Sequence, residues 1–175
     1  MSELLASIVA GVPAAFADPH ADWRAVRAMM APFHGQPCSP ELAIAIRDCG
    51  GVATGFHAFH CHGGAFVSCP LPVYHFYGEM IARALGMPVA MPDYRLAPEH
   101  PFPAAHEDCF NAYRGLLESG VDPASICVLG ESCGGALALG ALVRAREAGL
   151  PMPACFVSVT GWFDMSVPGT PRGRD

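Results

Sequence analysis

The chain has 175 residues, 52% apolar, 15% charged and 9% aromatic, a balance that argues against disorder and supplies enough apolar surface for one buried core. Its formal net charge is −6, and all ten basic residues are Arg. The absence of Lys excludes a P-loop, a Schiff-base amine and a Ser/Lys nucleophile pair, and an acidic chain with scattered Arg is a poor match for nucleic acid.

The first apolar stretch, Leu4 to Ala17, ends in Ala15-Phe16-Ala17 and imitates a cleavable signal. Its Met-Ser-Glu start carries no positive charge and Pro13 interrupts it, so no signal peptide is expected. Residues 1–50 read as an N-terminal helical cap or arm. Trp23, Val26, Met29 and Met30 share one stripe, the chain breaks between Pro37 and Pro40, and Leu42 to Ile46 forms a short second helix.

From residue 51 onward short apolar runs alternate with helical stretches, the signature of an α/β core. Strands are expected over Phe56 to His62, Pro88 to Pro92, Ser125 to Leu129 and Ala154 to Thr160. Phe76, Met80, Ile81 and Leu85 form one helical stripe, and Cys109, Tyr113, Leu116 and Leu117 another. Ala136 to Val143 is apolar nearly all round and is expected to be buried. Right-handed crossovers then make the sheet mostly parallel and flanked by helices, with ligands at the C-terminal ends of the strands. The tail from Gly169 is polar and closes without a helix or strand.

Eight Cys stand at 38, 49, 61, 69, 109, 127, 133 and 155 with no C-x-x-C, which reads as reduced thiols in a cytoplasmic protein. No apolar run approaches the ~20 residues of a membrane span.

The strongest chemical signal is Gly130-Glu131-Ser132-Cys133-Gly134, a G-x-S-x-G between an apolar run and a helical stretch. In that context the Ser sits on a tight strand-to-helix turn and the helix N-terminus offers free N–H groups to a developing oxyanion. By itself the motif also fits a Gly-rich turn that lets helix pack on strand. His62-Gly63-Gly64-Ala65-Phe66, at another strand end, adds small residues whose bare N–H groups suit a carbonyl oxygen.

With Tyr94-Arg95-Leu96-Ala97-Pro98-Glu99-His100-Pro101-Phe102-Pro103-Ala104-Ala105 between them, these two motifs resemble the HGGG, YRLAPEHPFPAA and GDSAGG blocks of the hormone-sensitive-lipase-like esterases. These are also called bacterial family IV carboxylesterases, of the α/β-hydrolase fold. The likeness runs from about Gly50 to Gly169, and Thr160-Gly161-Trp162-Phe163-Asp164 resembles the segment after the next strand. It implies that Ser132 is the nucleophile that takes the acyl group, that the N–H groups of Gly63, Gly64 and Cys133 form the oxyanion hole, and that no cofactor is used. The implied substrate is a small ester or lactone. Ala65 stands where the family has a third Gly, Glu131 where it has Asp, and Cys133 where it has Ala. Ala65 keeps its N–H available if its φ is negative.

In this fold the chain order is Ser, then Asp or Glu, then His. All eight His, at 20, 34, 57, 60, 62, 75, 100 and 106, precede Ser132, and the acids that follow it are Glu147, Asp164 and Asp175. The resemblance implies further strands carrying the triad acid and His, so residues 51–175 read as an incomplete hydrolase core, expected to be close to inactive alone. A bare sheet edge would favour a homodimer across it. The alternatives are a non-catalytic ligand-binding pseudo-hydrolase, as in plant hormone receptors that keep this fold and Ser but lack the His, or a fragment without independent function.

Two rival uses of the His residues are weaker. His62, nearest the oxyanion loop, is a candidate substitute base. His57, His60, Cys61 and His62 imitate a metal cluster, but strand alternation lets at most two converge, so no metal is expected. Tyr94, Arg95 and Glu99 with Pro98, Pro101 and Pro103 read as a turn tied by an Arg to carboxylate pair.

Overall fold

The computed structural model describes residue 22 and residues 56–164. The elements run β1 (His57–Cys61), α1 (Leu71–Leu85), β2 (Val89–Ala90), α2 (Ala104–Glu118), a short 3-10 turn (Pro123–Ser125), β3 (Ile126–Glu131), α3 (Cys133–Glu147) and β4 (Cys155–Val159). All four expected strands form, each within three residues of its expected ends. The cap expected over 1–50 lies outside the described residues.

The sheet order is β2-β1-β3-β4 and every pairing is parallel. Each pair is joined by a helical crossover, the connection that parallel strands require. After β1 the chain pairs β2 on one side and returns to pair β3 on the other, with Phe59 opposite Val128 and Cys61 opposite Gly130. The order therefore reverses at β1, which opens a crevice beyond the C-terminal ends of β1 and β3. His62 and Ser132 are the next residues after those ends.

Helices α2 and α3 cover one face of the sheet. Phe59, Cys61, Ile126 and Val128 meet Cys109, Tyr113, Leu137, Ala138 and Ala141 in a single core cluster. The Cys109 and Tyr113 stripe of α2 thus faces inward as its periodicity predicts, with Leu116 and Leu117 partly buried beside it. Tyr113 packs edge-on against Phe59, ring centroids 5.9 Å apart, and its hydroxyl donates to the Pro151 carbonyl at 2.9 Å. Tyr113→Phe is expected to lower stability by about 1 kcal/mol in urea unfolding, because it leaves that carbonyl without its donor while keeping the ring packing.

Two expected apolar faces point elsewhere. In α1, Phe76 is 72% exposed and Met80 and Leu85 are also exposed, whereas Gly78 and Ala82 are buried. The sheet side of α1 is set by close approach and by polar partners. A Cβ on Gly78 would meet the Met91 side chain, and Tyr74 and Tyr77 face the rings of His60 and His62. Periodicity finds the apolar stripe, but the Tyr74 and Tyr77 rings that pack on the buried imidazoles take the inner face. In α3, Leu139 and Val143 are exposed although the segment is apolar all round. This helix packs on α2 and on the sheet, and the Leu139 and Val143 flank carries no described element. β4 is one of the two edge strands of the described sheet, with Val157 and Val159 exposed.

Candidate active site

Ser132 occupies the turn between β3 and α3 with φ 52° and ψ −124°, a left-handed φ that L residues rarely adopt outside enforced sites. Hydrogen bonds hold it there from both sides. Its N–H donates to the Val159 carbonyl at 3.1 Å, and its own carbonyl accepts from Trp162 at 2.9 Å and Gly135 at 3.0 Å. Its side chain makes no capping hydrogen bond to α3, so Oγ is left for other chemistry. The turn closes only because its flanking glycines have no side chains. A Cβ on Gly130 would come within 2.5 Å of the Gly134 carbonyl, and one on Gly134 would overlap the carbonyls of Cys61 and His62.

That second contact seats the N-terminus of α3 on the end of β1, beside the loop that begins at His62. Gly64 lies at φ 114°, and its carbonyl accepts from the amides of Val67 and Ser68 and from Ser68 Oγ at 2.8–3.1 Å. The N–H groups of Gly63, Gly64 and Cys133 donate to no protein acceptor among the described residues. Ala65 does not meet the condition of a negative φ: it has φ 53°, and Phe66 follows at 67°. Left-handed backbone at a residue with a Cβ costs on the order of 1–2 kcal/mol. The tight Gly64 turn, a hydrogen bond from the Ala97 amide to the Phe66 carbonyl, and the Cys133 thiol, at which the N–H groups of Ala65 and Phe66 point, hold the loop in this form. Burial pushes that thiol up to about 11 despite those donors, so it is a neutral thiol at pH 7.

Beneath the loop lies a buried stack. The His62 ring is sandwiched between Tyr94, at 4.2 Å between centroids, and Tyr74, at 4.8 Å. Its Nδ1 lies 2.8 Å from the Gly63 carbonyl, and the Tyr94 hydroxyl donates to the His62 carbonyl at 2.9 Å and the Gly63 carbonyl at 3.2 Å. Burial lowers both His60 and His62 to about 4, with His62 adding to the shift of His60. Burial likewise holds the Tyr94 phenol far above its usual range.

The remaining candidates separate cleanly. His62 is fully buried and has no hydrogen bond to Ser132, which argues for holding the loop rather than taking a proton from Oγ. His60 and His62 share the α1 face while Cys61 belongs to the core on the other, and no group of three metal-ligating side chains converges among the described residues. Glu147 ends α3, roughly 20 Å along the helix from the elbow. The carboxylate that ties Arg95 comes from α2 and not from the turn: Asp108 meets it at 2.8 and 2.9 Å, with Glu107 at 3.5 Å. This pair holds Asp108 below the usual carboxylate range, and it anchors the stretch that contains the cis peptides Ala97–Pro98 and Phe102–Pro103. A cavity of about 440 Å³ opens beside the loop that follows β1, lined by Phe66, Val67, Ala97, Phe102, Ala105 and His106 among others. Its aromatic wall went unforeseen in the sequence, because Phe66 stacks on His106 across forty residues.

The comparisons with known proteins agree with this fold. An acetyl-hydrolase of Streptomyces hygroscopicus is 38% identical over 110 residues, which is 63% of this chain and 37% of that protein. Human hormone-sensitive lipase is 39% identical over 98 residues, 54% of this chain and 9% of the lipase. The crystal structure of an esterase from the bacterial hormone-sensitive lipase family matches with TM-score 0.71 at 31% identity, over 94% of this chain and 59% of the other. An esterase/lipase structure from an uncultured bacterium is 43% identical, with TM-score 0.63 over 66% of this chain and 40% of that one. The chain thus spans little more than a third of the curated bacterial relatives it matches. Among the described residues no helix is long and apolar enough to cross a membrane. With a family model for the α/β hydrolase fold matching residues 58–174, the chain belongs to the α/β-hydrolase family, among the relatives of hormone-sensitive lipase.

Proposed function

We propose that this chain carries the nucleophile half of a serine carboxylic-ester hydrolase. The observation that carries the reading is Ser132 at φ 52° on the strand-to-helix turn, with undonated N–H groups at Gly63, Gly64 and Cys133 around the same crevice. Ser132 Oγ attacks the ester carbonyl carbon, the carbonyl electron pair moves onto oxygen, and those N–H groups stabilise the oxyanion. Collapse of the intermediate expels the alcohol and leaves the acyl group on Oγ. Water then displaces it as a carboxylic acid. Small, largely apolar esters or lactones fit the cavity beside the loop, where Phe66, Val67, Ala97, Phe102 and Ala105 supply apolar wall.

The proton on Oγ is the difficulty. No described His is hydrogen-bonded to Ser132, and no His follows it in the chain. Removal of a triad leaves roughly 10³- to 10⁴-fold catalysis over water, so the 175-residue chain is expected to acylate slowly and turn over poorly. Intact-mass analysis after treatment with a fluorophosphonate and with p-nitrophenyl butyrate tests the reading. One adduct per chain at Ser132, absent from Ser132→Ala, supports it. A second reading, a ligand-binding hydrolase-like domain, draws on the cavity of about 440 Å³ beside the loop. A folded chain that binds the ester without forming any adduct would replace the first reading with this one.

A further inference from the structure

Tyr74 belongs to none of the three motif blocks, yet its hydroxyl donates to Glu131 Oε2 at 2.8 Å, across 57 residues of sequence. Glu131 immediately precedes Ser132. The hydrogen-bonded pair lies against the backbone of Gly63: the point where a Cβ would stand on Gly63 is 3.1 Å from both Tyr74 Oη and Glu131 Oε2, and 3.2 Å from the Glu131 carbonyl. The space that Gly63 leaves empty is therefore filled by this pair. Tyr74 also stacks on His62, whose other face is taken by Tyr94.

We infer that Tyr74 and Glu131 are positioning residues for the oxyanion loop, a clamp that sets Gly63 and Gly64 relative to Ser132 in addition to the hold that Tyr94 supplies. This rests on the reading of Gly63 and Gly64 as oxyanion donors. Glycine has the widest backbone freedom of any residue, so two consecutive glycines keep a fixed N–H direction only if their surroundings hold them. Tyr94 does so through the His62 and Gly63 carbonyls. The Cβ side of Gly63 has the Tyr74–Glu131 pair as its support. The hydroxyl has a second effect, since it draws on the charge of a carboxylate that would otherwise stand bare beside a developing oxyanion. The phenol is suited to donating, because burial and the adjacent Glu131 charge hold it protonated far above its ordinary range.

The test uses the full chain and three variants, Tyr74→Phe, Glu131→Ala and Glu131→Gln, with two readouts. The first is the rate of Ser132 acylation by p-nitrophenyl acetate, followed by intact mass. The second is the ¹⁵N order parameter of Gly63 and Gly64, which requires no reaction. Tyr74→Phe and Glu131→Ala are expected to slow acylation about 10- to 100-fold at saturating ester with little change in half-saturation. They should also lower the order parameters at Gly63 and Gly64 from about 0.85 towards 0.6, with β3 and α3 unchanged. Glu131→Gln keeps an acceptor for the phenol and should stay close to the parent in both. Order parameters unchanged in Tyr74→Phe would overturn the clamp. So would Glu131→Gln behaving like Glu131→Ala, since that would assign the effect to charge alone. Absence of acylation in the parent chain would overturn the acyl-enzyme reading, while the order parameters would still decide the clamp.

Discussion

Gly134→Ala is expected to destabilise the fold by about 3 kcal/mol or more, among the larger single-site effects this chain should show. The added methyl group meets only backbone, the carbonyls of Cys61 and His62, and not the end of a side chain that could swing away. Relief would require α3 to move off β1, and α3 carries Leu137, Ala138 and Ala141 into the core. Urea unfolding followed by far-UV circular dichroism measures the loss. An unchanged midpoint would mean that α3 slides without penalty, and the tight seat assigned to the elbow would be wrong.

The second large effect is a loss of stability in mild acid. Burial, chiefly, lowers His60 and His62 to about 4 from an ordinary 6.5. Between those values the unfolded chain binds protons that the native state does not, so stability rises with pH through this window. It is complete above pH 6.5 and lost as pH falls towards 4, on the order of 3 kcal/mol for each ring. The Arg95 and Asp108 pair acts in a lower window, because the Asp108 carboxyl titrates below its ordinary 3.8. Urea midpoints from pH 7.5 to 4 should fall steeply, and His60→Asn should reduce the slope. A flat profile would show that the two rings take up protons in place, and the buried stack under the Gly63–Gly64 loop would need another description.

Both effects arise from the same arrangement: the sheet ends where it must bind, and the loop beyond β1 is held by rings and carbonyls instead of by an aliphatic core. Stability and the geometry of the Gly63–Gly64 loop are therefore coupled. Substitutions at His62, Tyr94 or Tyr74 are expected to disturb both, whereas Tyr113, on the opposite face, should alter stability alone.

Local sequence was sufficient for the strands, the helix positions, the parallel sheet and the elbow. Strand alternation, crossover handedness and the need for glycine at a close approach act over a few residues and leave their mark in composition. Periodicity located the helices but misjudged which way α1 faces, since its apolar stripe competes with Tyr74 and Tyr77 for the side where buried imidazoles need partners. The left-handed Ala65, the Asp108 carboxylate under Arg95 and the Tyr74–Glu131 hydrogen bond are equally invisible in the linear chain. Each is a pairing between residues 13 or more positions apart, or a backbone conformation imposed by such pairings. The sequence alone determined that Ser132 and the Gly63–Gly64 pair stand at strand ends, because motif spacing reflects backbone sterics. Only the tertiary structure decided how those residues are held, because a donor finds its acceptor through the packing of helices on the sheet and not through its neighbours in the chain.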